Sequence, residues 1–244
     1  PMHAALKNGF DVVAIEGAAL SATYDFKKDV TRMNLARQKS AIFEGLNFCK
    51  EMPGINHKNR IAWSHSLSCR ALSDMIVAKE PVKSFFNELV LNNPYFLPPS
   101  RVIKTRERLM QRDPTGKMWQ SALNRMSMQR RQIENIEFKI PTCLQNLTVP
   151  LPRDWAELDG NLPSIAKRMS KFVDSLHISF VLGTADDMAE YAQNVQIFNE
   201  LKVSNKNLIS IDGANHLFEN KLDEYENNVN IILSRIKTKY LNEK

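Results

Sequence analysis

The sequence predicts an α/β architecture: a mostly parallel sheet with helices on both faces, carrying a helical cap inserted in the middle of the chain. Three observations predict it. Short, apolar, β-branched runs alternate with segments of helical periodicity, which is the pattern of strands joined by helical crossovers. That alternation stops from residue 98 to 172 and then resumes. Ser66, Asp186 and His216 each fall just after a predicted strand, where open parallel sheets gather their functional loops.

The elements follow in order. Phe10-Asp11-Val12-Val13-Ala14-Ile15 is predicted as a buried strand ending at Gly17. Leu35, Ile42, Leu46 and Cys49 recur at helical steps, and Pro53-Gly54 closes that unit. A second strand, Arg60-Ile61-Ala62-Trp63, runs into Ser64-His65-Ser66 and a helix through Ala71, Leu72, Met75 and Ile76. Glu80-Pro81 ends that helix, because a residue before proline is pushed out of helical geometry. A third strand is placed within Phe85 to Leu91, before the loop Asn92-Asn93-Pro94.

Residues 98–172 are polar, basic and methionine-bearing, with helical patches broken at Asp113-Pro114-Thr115-Gly116, Pro141, Pro150 and Pro152. They divide the core into 1–97 and 173–244. The strand His177-Ile178-Ser179-Phe180-Val181-Leu182 then leads into Gly183-Thr184-Ala185-Asp186-Asp187. A helix carrying Tyr191, Val195, Phe198 and Leu201 follows. The last strand, Asn207-Leu208-Ile209-Ser210-Ile211, leads to Gly213-Ala214-Asn215-His216. The terminal helix shows Leu222, Tyr225, Val229, Ile232, Ile236 and Tyr240 at steps of three and four.

Composition narrows the function classes. A chain of 244 residues, 43% hydrophobic and 25% charged, is ordinary for one globular domain with an insertion. No apolar run approaches the roughly 18 residues needed to cross a bilayer, and the first residues lack a signal peptide's basic and apolar regions. Cys49, Cys69 and Cys143 form neither a metal pattern nor a disulfide framework, so a reduced, cytoplasmic setting is expected. Export without a signal peptide would look the same.

The formal charge of +6 is uneven. Between 101 and 140 stand ten Lys/Arg and four acids, an excess equal to that of the whole chain. A solvated helical face accounts for this; a basic lid meeting an anionic membrane surface or an acidic partner is the sharper alternative. Nucleic acid is not expected, since Trp119 and Phe138 are the segment's only aromatics for bases to stack on. Met110, Met118, Met126 and Met128 read as adaptable packing, with an acyl-chain groove as the lesser reading. No metal-ligand spacing or phosphate-binding glycine loop occurs, so neither metal nor cofactor is expected.

A serine hydroxyl becomes a nucleophile when an imidazole takes its proton and a carboxylate orients the imidazole. Ser66 suits the first role because it stands on a strand-to-helix turn flanked two residues away by the small Ser64 and Ser68. The helix after it would point the Leu67 N–H at a reacting oxygen. Ser64-His65-Ser66-Leu67-Ser68 resembles the Gly-His-Ser-Leu-Gly elbow of the α/β-hydrolase-fold esterases, lipases and peptidases. Gly183 to Asp187 is similar to that family's acid-bearing turn, which implies Asp186 as the triad acid, with Asp187 as its rival. Gly213-Ala214-Asn215-His216-Leu217-Phe218 resembles its histidine loop, with His216 as the base. The order Ser, Asp, His is the family's.

The resemblance implies a serine hydrolase acting on a carboxylic ester of a lipid or another acyl-bearing small molecule; peptidase and thioesterase chemistry would use the same triad. Two departures set limits. Serine replaces both elbow glycines, adding a Cβ where backbones pack closely. The family strand that would lie between 10–15 and 60–63, and whose loop supplies a second oxyanion donor, is absent. With Pro1 at its start, the chain reads as a fragment or processed product whose sheet a further segment or chain completes. These departures motivate the alternative of a catalytically impaired binding protein that uses its basic cap as a contact surface. His65 reads as a structural hydrogen-bonding residue, Cys69 as buried packing, and His3, His57 and His177 as side chains without a partner pattern.

Overall fold

The computed structural model describes residues 1–15, 35–53, 60–78, 85–97, 100–119, 121, 162–171, 176–186 and 188–241. Expectations at Gly17, Gly54, His57, Glu80-Pro81, residues 122–161 and Asp187 lie outside the described residues. In chain order the elements used below are α1 (Met2–Lys7), α2 (Leu35–Glu51), β1 (Ile61–His65), α3 (Leu67–Ala78), β2 (Glu88–Asn92), α4 (Ser100–Arg112), α5 (Leu162–Met169), β3 (His177–Gly183), α6 (Tyr191–Glu200), β4 (Lys206–Ile211) and α7 (Leu222–Leu241).

The four strands form one parallel sheet in the order β1-β2-β3-β4. Its centre is buried on both faces, so its strands are apolar along their length rather than alternating. All five residues of β2 are buried, as are the last six of β3. Side-chain alternation then sorts two cores. Leu89, Leu91, Ile178, Phe180 and Leu182 face one side, where they meet Leu46 of α2, Leu72, Met75 and Ile76 of α3, Met169 of α5 and Ile197 of α6. Val90, Val181 and Ile211 face the other, under Tyr225, Val229, Ile232, Leu233 and Ile236 of α7, with Ala4 and Ala5 of α1 packed at its margin.

The helices follow their sequence signals with two local differences. In α7, Asp223 and Glu224 stand in the first turn and Lys239 in the last, complementing the helix dipole. Its buried stripe begins at Tyr225, while Leu222 is exposed. In α6 the fully buried positions are Asn194 and Ile197, and the predicted Tyr191, Val195 and Phe198 form the half-buried flank. Asn194 tolerates burial because its side-chain amide donates to the Ala189 carbonyl at 3.0 Å.

One predicted strand does not form. Among the described residues Phe10 to Ile15 has no ladder partner, and Val13 and Ile15 are exposed. A strand is stabilised by inter-strand hydrogen bonds. The only ladder that β1 makes among the described residues is with β2, so nothing bridges it to residues 10–15. Ahead of it, α1 docks onto α7, where Lys237 Nζ also donates to the Asn8 carbonyl at 3.1 Å.

Because the sheet is parallel, all its carboxyl ends lie on one edge. Ser66 follows β1 directly, Asn93 follows β2 directly, Asp186 lies just beyond β3, and His216 lies in the loop beyond β4. The candidate site is built along that edge.

Candidate active site

Ser66 is the single residue between β1 and α3, and it adopts φ +56°, in the left-handed region that a side chain occupies at a cost. Neighbouring backbone holds it there. Its N–H donates to the Asn92 carbonyl at 3.0 Å, and its own carbonyl accepts from Tyr95 N–H at 3.0 Å and Cys69 N–H at 3.1 Å. The two serines that replace glycine carry no such strain: Ser64 lies in β1 and Ser68 in α3, neither with positive φ. The Ser64 hydroxyl donates to the Cys69 sulfur at 3.3 Å. The added Cβ atoms are therefore absorbed by packing, and the turn stays sharp. Cys69 is fully buried, and burial pushes its thiol up to about 12, the state of an inert packing residue.

His216 and Asp186 are brought to this turn. His216 Nε2 stands 2.9 Å from the Ser66 hydroxyl oxygen, and His216 Nδ1 stands 2.8 Å from Asp186 Oδ2. Both are buried, at 6% and 7% exposure, so water competes little for either bond. The other carboxylate oxygen, Asp186 Oδ1, accepts the N–H groups of Met188 and Ala189, each at 2.8 Å. An ionised carboxylate can only accept, so Nδ1 carries the proton it donates to Asp186. In the neutral ring Nε2 is then free to accept the Ser66 hydroxyl proton. Leu67 opens α3, and the first N–H groups of a helix have no acceptor within it.

Gly183 explains how the acid-bearing turn reaches the histidine loop. A Cβ there would press into the carbonyl oxygen of Ala214, so only glycine permits this approach. Across the same seam Ala185 N–H donates to the Ala214 carbonyl at 3.0 Å and Gly213 N–H to the Thr184 hydroxyl at 2.8 Å.

Two residues have a larger place than their sequence suggested. Asn93, in a loop read as a plain connection, has φ +39° and donates its side-chain amide to the His216 carbonyl at 2.8 Å. The signal that could have found it is its position, directly past a strand on the edge that also holds the other three. His177 does have partners: it lies 3.0 Å from the buried Glu88 carboxylate, which also meets Arg235 and Lys239. That cluster sits where β2 and β3 begin, at the far end of the sheet from Ser66. His65 is the hydrogen-bonding residue expected, with Nε2 donating to the His216 carbonyl at 2.8 Å. Among the described residues no group of three His, Cys, Asp or Glu side chains is placed to hold a metal ion. Nor is any helix among them long and apolar enough to cross a membrane.

The sequence matches no family model, and no curated protein matches it. Solved structures do. The chain is similar to the esterase Pf2001 of Pyrococcus furiosus, at 14% identity and a TM-score of 0.55, over 96% of this chain and 73% of that one. It is similar to Est1E of Butyrivibrio proteoclasticus, solved with ferulic acid bound, at 13% identity and 0.53, over 87% and 71%. A third likeness is to the α/β hydrolase GrgF of a Penicillium species, at 12% and 0.51, over 83% and 72%. At these identities the likeness speaks for the fold, and it agrees with the parallel sheet and the helices on its two faces: the chain has the α/β-hydrolase fold.

Proposed function

We propose that the protein is a serine hydrolase that cleaves carboxylic esters, with Ser66 as nucleophile, His216 as general base and acid, and Asp186 as the carboxylate that orients His216. The observation that carries this reading is the unbroken hydrogen-bond chain from the Ser66 hydroxyl through the His216 ring to Asp186. Solved esterases and hydrolases of the same fold support it at the level of the fold.

In this reading the Ser66 oxygen attacks the ester carbonyl carbon while its proton passes to His216 Nε2. The carbonyl oxygen becomes an oxyanion, held in part by the Leu67 N–H. Asp186 stabilises the imidazolium without taking its proton. The tetrahedral adduct collapses, the bond to the leaving oxygen breaks, and His216 Nε2 delivers its proton to the departing alcohol. Water then attacks the acyl carbon on Ser66, again giving a proton to His216. Collapse releases the acid and returns the proton to the Ser66 oxygen. The basic stretch 98–172, read from the sequence as a cap, would set substrate choice, and Lys104, Arg108 and Arg112, all exposed on α4, are where it would meet an anionic membrane surface.

The test is turnover of p-nitrophenyl esters of rising acyl length. The proposal expects saturable hydrolysis that Ser66→Ala removes while leaving the thermal unfolding transition in place. Hydrolysis that persists in Ser66→Ala, or none with any acyl length by the folded protein, would contradict it.

A further inference from the structure

We infer that His65 and Asn93 are positioning residues, which together hold His216 by its backbone carbonyl and so set the distance from its ring to Ser66. The inference rests on the roles proposed above for Ser66 and His216.

The His216 carbonyl oxygen receives two donors, His65 Nε2 at 2.8 Å and the Asn93 side-chain amide at 2.8 Å. A carbonyl oxygen has two lone pairs, so both are engaged. The donors come from different strands. His65 is the last residue of β1 and the residue before Ser66, so its bond joins the base-bearing loop to the backbone of the nucleophile. Asn93 follows β2, and its N–H donates to the Val181 carbonyl of β3 at 2.9 Å. Its Oδ1 accepts the Gly183 N–H at 2.7 Å, three residues before Asp186. The amide orientation is thereby determined: the oxygen must face Gly183, and the nitrogen must face the carbonyls of His216 and, at 3.2 Å, Asn215. One asparagine thus ties the acid-bearing turn to the base-bearing loop, and one histidine ties that loop to the nucleophile's turn.

The protonation state agrees with this geometry. Burial first, and then the neighbouring His216, push the His65 ring down to about 4, so at neutral pH it is uncharged. A neutral ring donates from one nitrogen only, and facing a carbonyl that nitrogen is Nε2. The two rings lie 4.7 Å apart, tilted by 51°, so His65 also fills the space beside the base. Neither residue touches the Ser66 hydroxyl; both act through the placement of His216.

The test combines variants with a tautomer measurement. Gln at position 65 can present an amide donor near the site of Nε2, whereas Ala cannot. A shift of about 1 Å in a catalytic group can cost about 100-fold in rate, so His65→Ala should lower kcat on p-nitrophenyl butyrate by at least about tenfold. KM should stay within about twofold, and His65→Gln should recover most of the loss. Asn93→Asp keeps the acceptor for Gly183 but loses the donor to His216, and its kcat should fall at least as far. If folded His65→Ala retains wild-type kcat, or His65→Gln loses as much as His65→Ala, the inference is overturned.

Nitrogen-15 spectra of the histidine rings in the wild-type protein test it without any variant or turnover. At pH 7 His65 should be the Nε2–H tautomer; the Nδ1–H tautomer or an imidazolium would overturn the inference. A wild-type protein that hydrolyses no ester yet shows the Nε2–H tautomer would count against the proposed function and leave the clamp standing.

Discussion

His216 Nε2 lies 2.9 Å from the Ser66 hydroxyl oxygen across a separation of 150 residues, and Asp186 holds the opposite side of the same ring at 2.8 Å. Asp186→Asn tests what that second bond does. Asparagine keeps the size of the side chain but can present its amide to Nδ1 and favour the wrong tautomer. In a triad of this kind such a change costs about 10⁴-fold in kcat, and a loss of at least about 10³-fold is expected here. Steady-state kinetics alongside thermal unfolding would check it; a folded variant within about tenfold of wild type would count against Asp186 as the orienting carboxylate.

Gly183→Ala should lower both stability and activity. Its new Cβ meets the Ala214 carbonyl oxygen, which is backbone and cannot rotate away, so the loop carrying His216 must move. Overpacking of this sort costs about 1–3 kcal/mol, readable as a lower urea midpoint, and kcat should fall with it. Unchanged urea and kinetic curves would mean that the two turns are less tightly joined than described.

His65 should give stability a dependence on pH. Its folded-state value of about 4 lies below the ordinary 6.5, so between those limits the unfolded chain binds more protons than the folded one. The contribution is therefore fully present above pH 6.5 and is lost as the pH falls through that window toward 4. His65→Gln removes the titration, and urea unfolding at pH 4.5 and 7 should show a smaller difference in the variant. An equal difference in both proteins would count against a buried, neutral His65.

Glu88 should matter for stability alone. Its carboxylate is 1% exposed and lies within 3.2 Å of His177, Arg235 and Lys239. Burial pushes its titration up, but these partners together hold it below the usual carboxylate range. Glu88→Gln gives up charge-assisted bonds of about 1.5–3 kcal/mol each at most. A lower unfolding midpoint with unchanged kcat per folded molecule is expected. A fall in kcat at full folding would show coupling from the far end of the sheet.

Much of the fold was legible because the sheet is buried on both faces. Runs such as Leu89-Val90-Leu91 and Ile178 to Leu182 have no solvated side to break their apolar pattern, so their strands stand out. Ser66, Asp186 and His216 were legible for a related reason: each sits past a recognisable strand with a motif around it. Phe10 to Ile15 misled because composition reports a liking for the extended state but not the neighbour that must complete the ladder. Asn93 was missed because its two roles depend on loops about 90 and 120 residues away, a meeting created by tertiary structure alone.

A Ser66 nucleophile activated by His216 would have a chemical signature of its own. Incubating the protein with a fluorophosphonate and mapping the adduct by peptide mass spectrometry tests it most directly. One stoichiometric adduct is expected on Ser66, formed much more slowly in His216→Ala and absent in Ser66→Ala. A folded wild-type protein that takes up no label, or that carries it on another residue, would contradict it.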